Sequence, residues 1–389
     1  MAELRQNTWT LGEWYDQDYA GNAGYYGAGE IWAWGRNGRG QLGQGVRSFP
    51  GNNGLSSPVQ VIGTGWRSLT PRAFGGIATK TDGALWSWGY NARGQQGQND
   101  SGNNYSSPIQ VGSGTDWSTV HAGYYSTLAT KTNGQLWVWG ANFSAQLGLN
   151  DRVDYSSPVQ IPGTTWPISG EKKIAQGASN GFAIKTDGTL WTWGSGQLGR
   201  SGQNNLTQYS SPVQIGSGTD WSQISSFEIS SFAVKTNGTL WSWAYNGSGQ
   251  LGVNDRTNRS SPTQIPGTNW KSVSAAYFSA SGTKTDGTLW AWGNNNYGQL
   301  GQNSLIKRSS PTQIPGTNWN KTYISKRENM MASKTDGTLW VLGRNQLQGP
   351  LGQNNRTDYS SPVQIDGTDW SSQHGGMGYF SAMVLKEME

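Results

Sequence analysis

Seven times along this chain an aliphatic residue introduces Trp-x-Trp or a near equivalent. Ile31-Trp32-Ala33-Trp34-Gly35 comes first, and further copies begin at Leu85, Leu136, Leu190, Leu240, Leu289 and Leu339. Successive first tryptophans lie 54, 51, 54, 50, 49 and 50 residues apart. A fixed period near fifty residues means a repeat architecture. It overrides the usual expectation that 389 residues divide into two or three domains.

The most regular copy spans residues 268 to 317. Ser272 to Ala275 reads as a short strand of small residues, and a turn around Ala276-Tyr277-Phe278 leads into Ser279 to Lys284. Asp286-Gly287 then has the composition of a tight hairpin turn. Leu289-Trp290-Ala291-Trp292 forms a third strand with both indoles on one face, because side chains alternate with period two. After a long loop containing Gly298-Gln299-Leu300-Gly301, Ser310 to Ile314 forms a fourth strand whose proline suits an edge. Four short antiparallel strands per repeat, with no helical periodicity, predict an all-β propeller of four-stranded blades. The small-residue strand is expected innermost and the proline strand outermost.

Composition agrees. Hydrophobic residues are only 33% and charged residues 13%, yet there are 22 Trp, 16 Tyr and 8 Phe. Each buried ring removes roughly 150–250 Å² from water, so a few per repeat can build a core, whereas disordered chains are poor in aromatics. With no Cys, disulfides and zinc-thiolate sites are excluded. The first residues lack an apolar run and are not expected to act as a secretory signal, and no stretch reaches transmembrane length. The net charge of +5 is small and dispersed, so it is no nucleic-acid footprint.

The first repeat lacks a good copy of its inner strands, and Ser371 to Lys386 supplies two strands after the last. The C-terminal strands are therefore expected to complete the first blade and close a seven-bladed ring over residues 25–389. An aromatic segment at 1–24, carrying Trp9 and Trp14, is expected to dock on the propeller or on a partner subunit.

Asp286-Gly287, Trp290-Ala291-Trp292-Gly293 and Gly298-Gln299-Leu300-Gly301 resemble the repeat of the regulator of chromosome condensation family of seven-bladed propellers. The resemblance covers over nine-tenths of the chain. It implies the fold, and a role in binding rather than catalysis, since members serve as exchange factors, inhibitors and adhesion modules. The family's recurrent His is replaced by Ser126 and Ser279 here. The wording of the repeat, with near-identical copies of Ser-Ser-Pro-Val-Gln-Ile, is similar to propellers of marine bacteriophage virion proteins.

No catalytic constellation stands out. His121 and His374 are the only histidines and fall in distant repeats, which disfavours a triad. Asp82, Asp187, Asp286 and Asp336 occupy the recurring hairpin position, where Asn133 and Asn237 substitute for them. Asp-Gly and Asn-Gly are interchangeable as turn formers but not as general acids. The lysines two residues earlier read as a solvated rim. Loops such as Asn254-Asp255-Arg256 offer oxygen ligands but also carry a cation, so no metal is expected, nor any cofactor.

Strand parity places the first turns and the long loops on one face, and the Asp-Gly hairpins and connectors on the other. The hairpin face repeats monotonously while the other diverges, and a ligand that meets all blades at once needs a non-repeating surface. Near the axis of the divergent face the sequence sets Phe74, Tyr124, Tyr125, Phe227, Tyr277, Phe278, Lys326, Arg327, Tyr379 and Phe380. Such aromatic and cationic composition is typical of interface hot spots, although the rings could instead plug the central channel. Outer loops add Arg36, Arg39, Arg93, Arg256, Lys307 and Arg308, which could meet an acidic surface. The expectation is a non-enzymatic binding propeller in a phage virion, as a decoration, fibre-tip or baseplate-associated protein. Its partners would be subunits of a larger assembly or a host-surface glycan or protein, with no specific nucleic acid and no membrane insertion. The competing expectation is a soluble scaffold or inhibitor resembling propeller-type β-lactamase inhibitors.

Overall fold

The computed structural model describes residues 29–47, 54–170, 172–324, 328–346, 349–379 and 381–387. They form 28 strands, β1 to β28 in chain order, with one 3-10 turn at Gln197–Gly199. In the regular copy, β19 (Trp270–Ala275), β20 (Ser279–Lys284), β21 (Leu289–Gly293) and β22 (Arg308–Ile314) pair antiparallel in that order. Five such four-stranded sheets stand separately. The remaining eight strands make two more blades, linked by a single Gly29–Trp66 pairing.

The first blade is built from both ends of the described chain. β27 (Trp370–Met377) pairs with β28 (Ser381–Glu387), which pairs with β1 (Gly29–Arg36), and β1 pairs with β2 (Gly54–Gln60). The β1–β28 register runs from Gly29–Glu387 to Gly35–Ser381. The C-terminal strands thus complete the first blade as the sequence predicts, and seven blades close the ring.

Tryptophan organises each blade. Trp270, at the start of β19, lies 6.4 Å from Trp290 and 5.8 Å from Trp292 between ring centroids, edge-on to both. Such geometry adds about 0.5–1.5 kcal/mol beyond area burial. Lys284 Nζ sits 5.0 Å from the Trp270 ring and 4.5 Å from Trp290, close enough for cation–π attraction. The same double contact recurs at Lys80, Lys131, Lys185, Lys235 and Lys334. This corrects the expectation of a merely solvated lysine rim. The alkyl stems let these cations lie on the rings while the hairpin end of each blade stays polar.

The second tryptophan of each pair stitches neighbouring blades. Trp292 Nε1 donates to the Gln250 carbonyl at 2.8 Å, in the preceding blade's Gly-Gln-Leu-Gly loop. Trp88, Trp139, Trp193 and Trp243 repeat the bond, and Trp34 donates to the Pro350 carbonyl across the closure. The last glycine of the loop is dictated by this contact. At Gly252 φ is +71°, and a Cβ would lie 2.8 Å from Trp292 Nε1. Blade seven has the buried Leu342 at this position and makes no such bond.

The hairpin aspartates behave as turn formers. Asp286 Oδ1 accepts from the Thr288 backbone N–H and hydroxyl, and Trp290 Nε1 donates to that hydroxyl in turn. Asn237 does the same work with Thr239 and Trp241. Asp255 is likewise occupied within its own loop, accepting from Asn246, Thr257 and Arg259. Among the described residues no helix is long and apolar enough to cross a membrane.

Candidate functional site

First turns and long loops do share a face. Phe74, in the first turn of blade two, packs edge-on to Tyr90, which opens that blade's long loop, at 6.0 Å. Arg39, from the long loop of blade one, lies 3.9 Å over Tyr90 and 5.2 Å over Phe74.

Around these residues the aromatic side chains converge on the axis. Tyr379 stacks on Phe74 at 5.6 Å with 20° between planes, and meets Tyr124 edge-on at 5.3 Å. Tyr124 touches Tyr125 at 4.3 Å and Phe74 at 5.8 Å. Burial pushes the Tyr124 phenol above its ordinary range, with Tyr125 and Glu228 adding to the effect, so it stays a neutral donor and acceptor. Tyr379 Oη donates to Glu228 Oε1 at 2.8 Å, joining blade one to blade five across the ring. Glu228 holds a left-handed φ of +34°, uncommon for a residue with a Cβ. Phe74, Tyr124 and Tyr379 thus gather near the axis on this face and are half-buried.

A second group lies across the face. Tyr277 packs on Phe278 at 4.2 Å, and Phe278 on Tyr245 at 6.5 Å. Arg344 pairs with Glu328 at 2.6 Å and covers the Tyr297 ring at 4.4 Å. Phe227 is a correction: at 4% exposure it is buried and lines the axial cavity, so it presents no ring to the surface. Its position at the end of an inner strand turns it down the axis.

The outer cations divide. Arg93, Arg256 and Lys307 are exposed, and Arg93 pairs with Asp154 of the next blade at 3.3 Å. Arg36 and Arg308 are half-buried. Arg39 belongs to the aromatic group rather than to a free rim. Lys326, Arg327, Phe380, Trp9 and Trp14 lie outside the described residues.

Tyr90, Tyr245, Arg200 and Arg344 also belong to this face, although no sequence motif marks them. Burial lowers the Arg200 guanidinium while Glu228 and Tyr277 act to raise it, which places Arg200 in the field of the axial group. Tyr90, Tyr245 and Arg344 each directly follow the third strand. That column reads Arg36, Tyr90, Ala141, Ser195, Tyr245, Asn294 and Arg344 through the copies, and its variability was the available signal.

A closed seven-bladed propeller with one monotonous and one divergent face is a protein built to present a surface. The model of the RCC1-like domain matches residues 73–384, and the chain belongs to that family. The RCC1 domain-containing protein RUG3, mitochondrial, of Arabidopsis thaliana is 30% identical over 199 residues, covering 48% of this chain and 43% of that protein. Ultraviolet-B receptor UVR8 of the same plant is 30% identical over 190 residues, covering 48% and 42%. The chain thus matches less than half the length of these curated relatives. Among solved structures, yeast RCC1 (Prp20) bound to Kap60 superposes with a TM-score of 0.81 at 18% identity, covering 100% of this chain and 96% of that one. Human WBSCR16 gives 0.79 at 17% identity, covering 92% and 99%. At such identities these two show the fold alone.

Proposed function

We propose that the chain is a non-enzymatic binding propeller whose partner is a protein that docks on the face of first turns and long loops. The observation that carries this reading is the placement of exposed apolar side chains. Among the described residues nine large hydrophobics are exposed, and all but Ile62 and Ile168 lie in the long loops of that face. Leu206, Leu305 and Ile306 are each 60% exposed or more. Apolar loops around half-exposed aromatics and a few arginines have the composition of a protein interface. Yeast RCC1 (Prp20) has been crystallised bound to Kap60 and characterised for its binding to Gsp1p and histones, which supports protein as the class of partner.

Capture from an extract of the native source tests the reading. Leu206→Lys, Leu305→Lys and Ile306→Lys together should weaken capture of the partner at least tenfold while leaving the circular dichroism unchanged. Undiminished capture would remove this face from the proposal. A narrower form, a phage virion component, rests on the wording of the repeat. It is tested by whether the protein sediments with assembled particles, and a protein found only as free monomer would sink it.

A further inference from the structure

Near its return to the outer strand each long loop has an anchor residue with left-handed backbone. At Asn150 φ is +63°, at Asn204 +57° and at Asn354 +52°. The Asn150 N–H donates to the Ser210 carbonyl, in the outer strand of the next blade, at 2.7 Å. Asn204 donates to Ser260 at 2.7 Å, and Asn354 to Ser56 at 3.0 Å across the ring closure. Gly45, Asn99, Asn254 and Asn303 repeat the bond in the other four blades. The seven loops are therefore tied into one belt along the rim of the divergent face.

Two residues beyond its anchor each loop reaches a tip. Blade by blade the tips are Arg47, Ser101, Arg152, Leu206, Arg256, Leu305 and Arg356. All seven are exposed. Every odd blade carries an arginine, and every even blade a leucine or serine. The backbone beneath them repeats, so the alternation belongs to the side chains alone. The tips are also held in place. Oδ1 of Asp151, Asn205, Asp255 and Asn355 accepts the backbone N–H two residues on, at 2.9–3.0 Å. Arg152, Leu206, Arg256 and Arg356 each sit in the middle of such a turn, which lowers the ordering cost of a contact made there.

The arginine tips are not neutralised by neighbouring carboxylates. Asp151, Asp255 and Asp358 are engaged inside their own loops, by Asn142 and Tyr155, by Asn246 and Arg259, and by Asn345 and Gln346. Among the described residues no carboxylate pairs with Arg47, Arg152, Arg256 or Arg356. Arg47 donates to the Asn104 carbonyl at 2.6 Å, and Arg152 reaches the Gln208 side-chain amide at 3.0 Å. Both acceptors are neutral, so the charge stays at the rim.

We infer that this rim binds an extended acidic segment of the partner protein, whose carboxylates meet the arginine tips and whose apolar side chains cover the leucines between them. This rests on the reading that a protein docks on this face, and adds the partner's chemistry. Arginine presents a planar fork matched to carboxylate oxygens, and a row of cations steers an acidic chain to the surface. Leu206 and Leu305, at 68% and 61% exposure, offer apolar area whose burial favours association. Single-stranded nucleic acid fits less well, because it stacks its bases on aromatic rings and no tip carries one.

Selection from a displayed library of random peptides on the immobilised full chain, followed by fluorescence anisotropy of the most enriched peptide, tests this. The enriched sequences should interleave Asp or Glu with Leu, Ile or Val, and their affinity should fall steeply with salt. Arg152→Gln, Arg256→Gln and Arg356→Gln together should cost at least tenfold in affinity and leave the unfolding midpoint unchanged. Leu206→Ser with Leu305→Ser should cost at least threefold. Enrichment of no sequence, or of sequences without carboxylates, overturns the inference. If only the leucine variant loses binding, the docking face stands and the acidic partner falls. If neither variant loses it, the rim is removed from both readings. Heparin or single-stranded DNA binding as tightly as the peptide would make the ligand any polyanion, and overturns the inference as well.

Discussion

At Trp292 one side chain does two jobs, filling the core between blades and donating to the Gln250 carbonyl. Trp292→Phe keeps most of the ring and removes the donor, leaving a buried carbonyl without it. A cost of about 1–3 kcal/mol is expected, read as a lower urea midpoint with an unchanged slope; a midpoint within error of the native protein would show the bond is worth nothing. Arg72 is the opposite case. It is 1% exposed, its Nη2 donates to Thr127 Oγ1 at 2.6 Å, and its Nε and Nη1 meet no acceptor among the described residues. Burial pushes its guanidinium down to about 9, still far enough above neutral to keep it charged. Leaving a buried charge uncompensated costs about 3–5 kcal/mol, so an apolar side chain of similar volume removes a cost rather than adding one. Arg72→Met should therefore not lower the melting temperature, and a drop of several degrees would mean that the charge has a partner.

The hairpins set the acid limit of the blades. Hydrogen bonds from Thr189, Thr288 and Thr338 hold the carboxyls of Asp187, Asp286 and Asp336 below the ordinary aspartate value. A depressed carboxylate contributes stability that is present above the unfolded pKa, about 3.9, and lost as pH falls through the folded one. Stability should thus decline below about pH 4. Thr189→Val, Thr288→Val and Thr338→Val together should flatten that decline in urea midpoints taken from pH 7 to pH 2. An unchanged acid limb would assign the effect to other groups. These elements were legible in the sequence because Asp-Gly turns, Trp-x-Trp strands and their spacing are local patterns repeated many times. The site was legible only in outline. Whether Phe227 faces out or down, that Arg39 lies on Tyr90, and that Lys172 reaches Val273 depend on contacts between different blades, which no local pattern encodes. The lysine–tryptophan contacts had a signal in their regular spacing, but regularity alone reads equally well as a solvated rim.

At the scale of the molecule, seven nearly equivalent blades create one surface that repeats and one that does not. The indole bonds between blades and the β1–β28 closure hold the ring. The divergent turns and loops are then free to vary, and the exposed apolar residues collect among them. Partner recognition is expected on this face. Hydrogen–deuterium exchange of the chain, alone and in complex with a protein captured from its native source, tests it most directly. Protection should appear in the long loops, at residues 141–154, 195–208 and 294–307, and in the first turns around Tyr125 and Phe278. Protection confined to the Asp-Gly hairpins and the connectors near Ile62 and Ile168 would contradict the account.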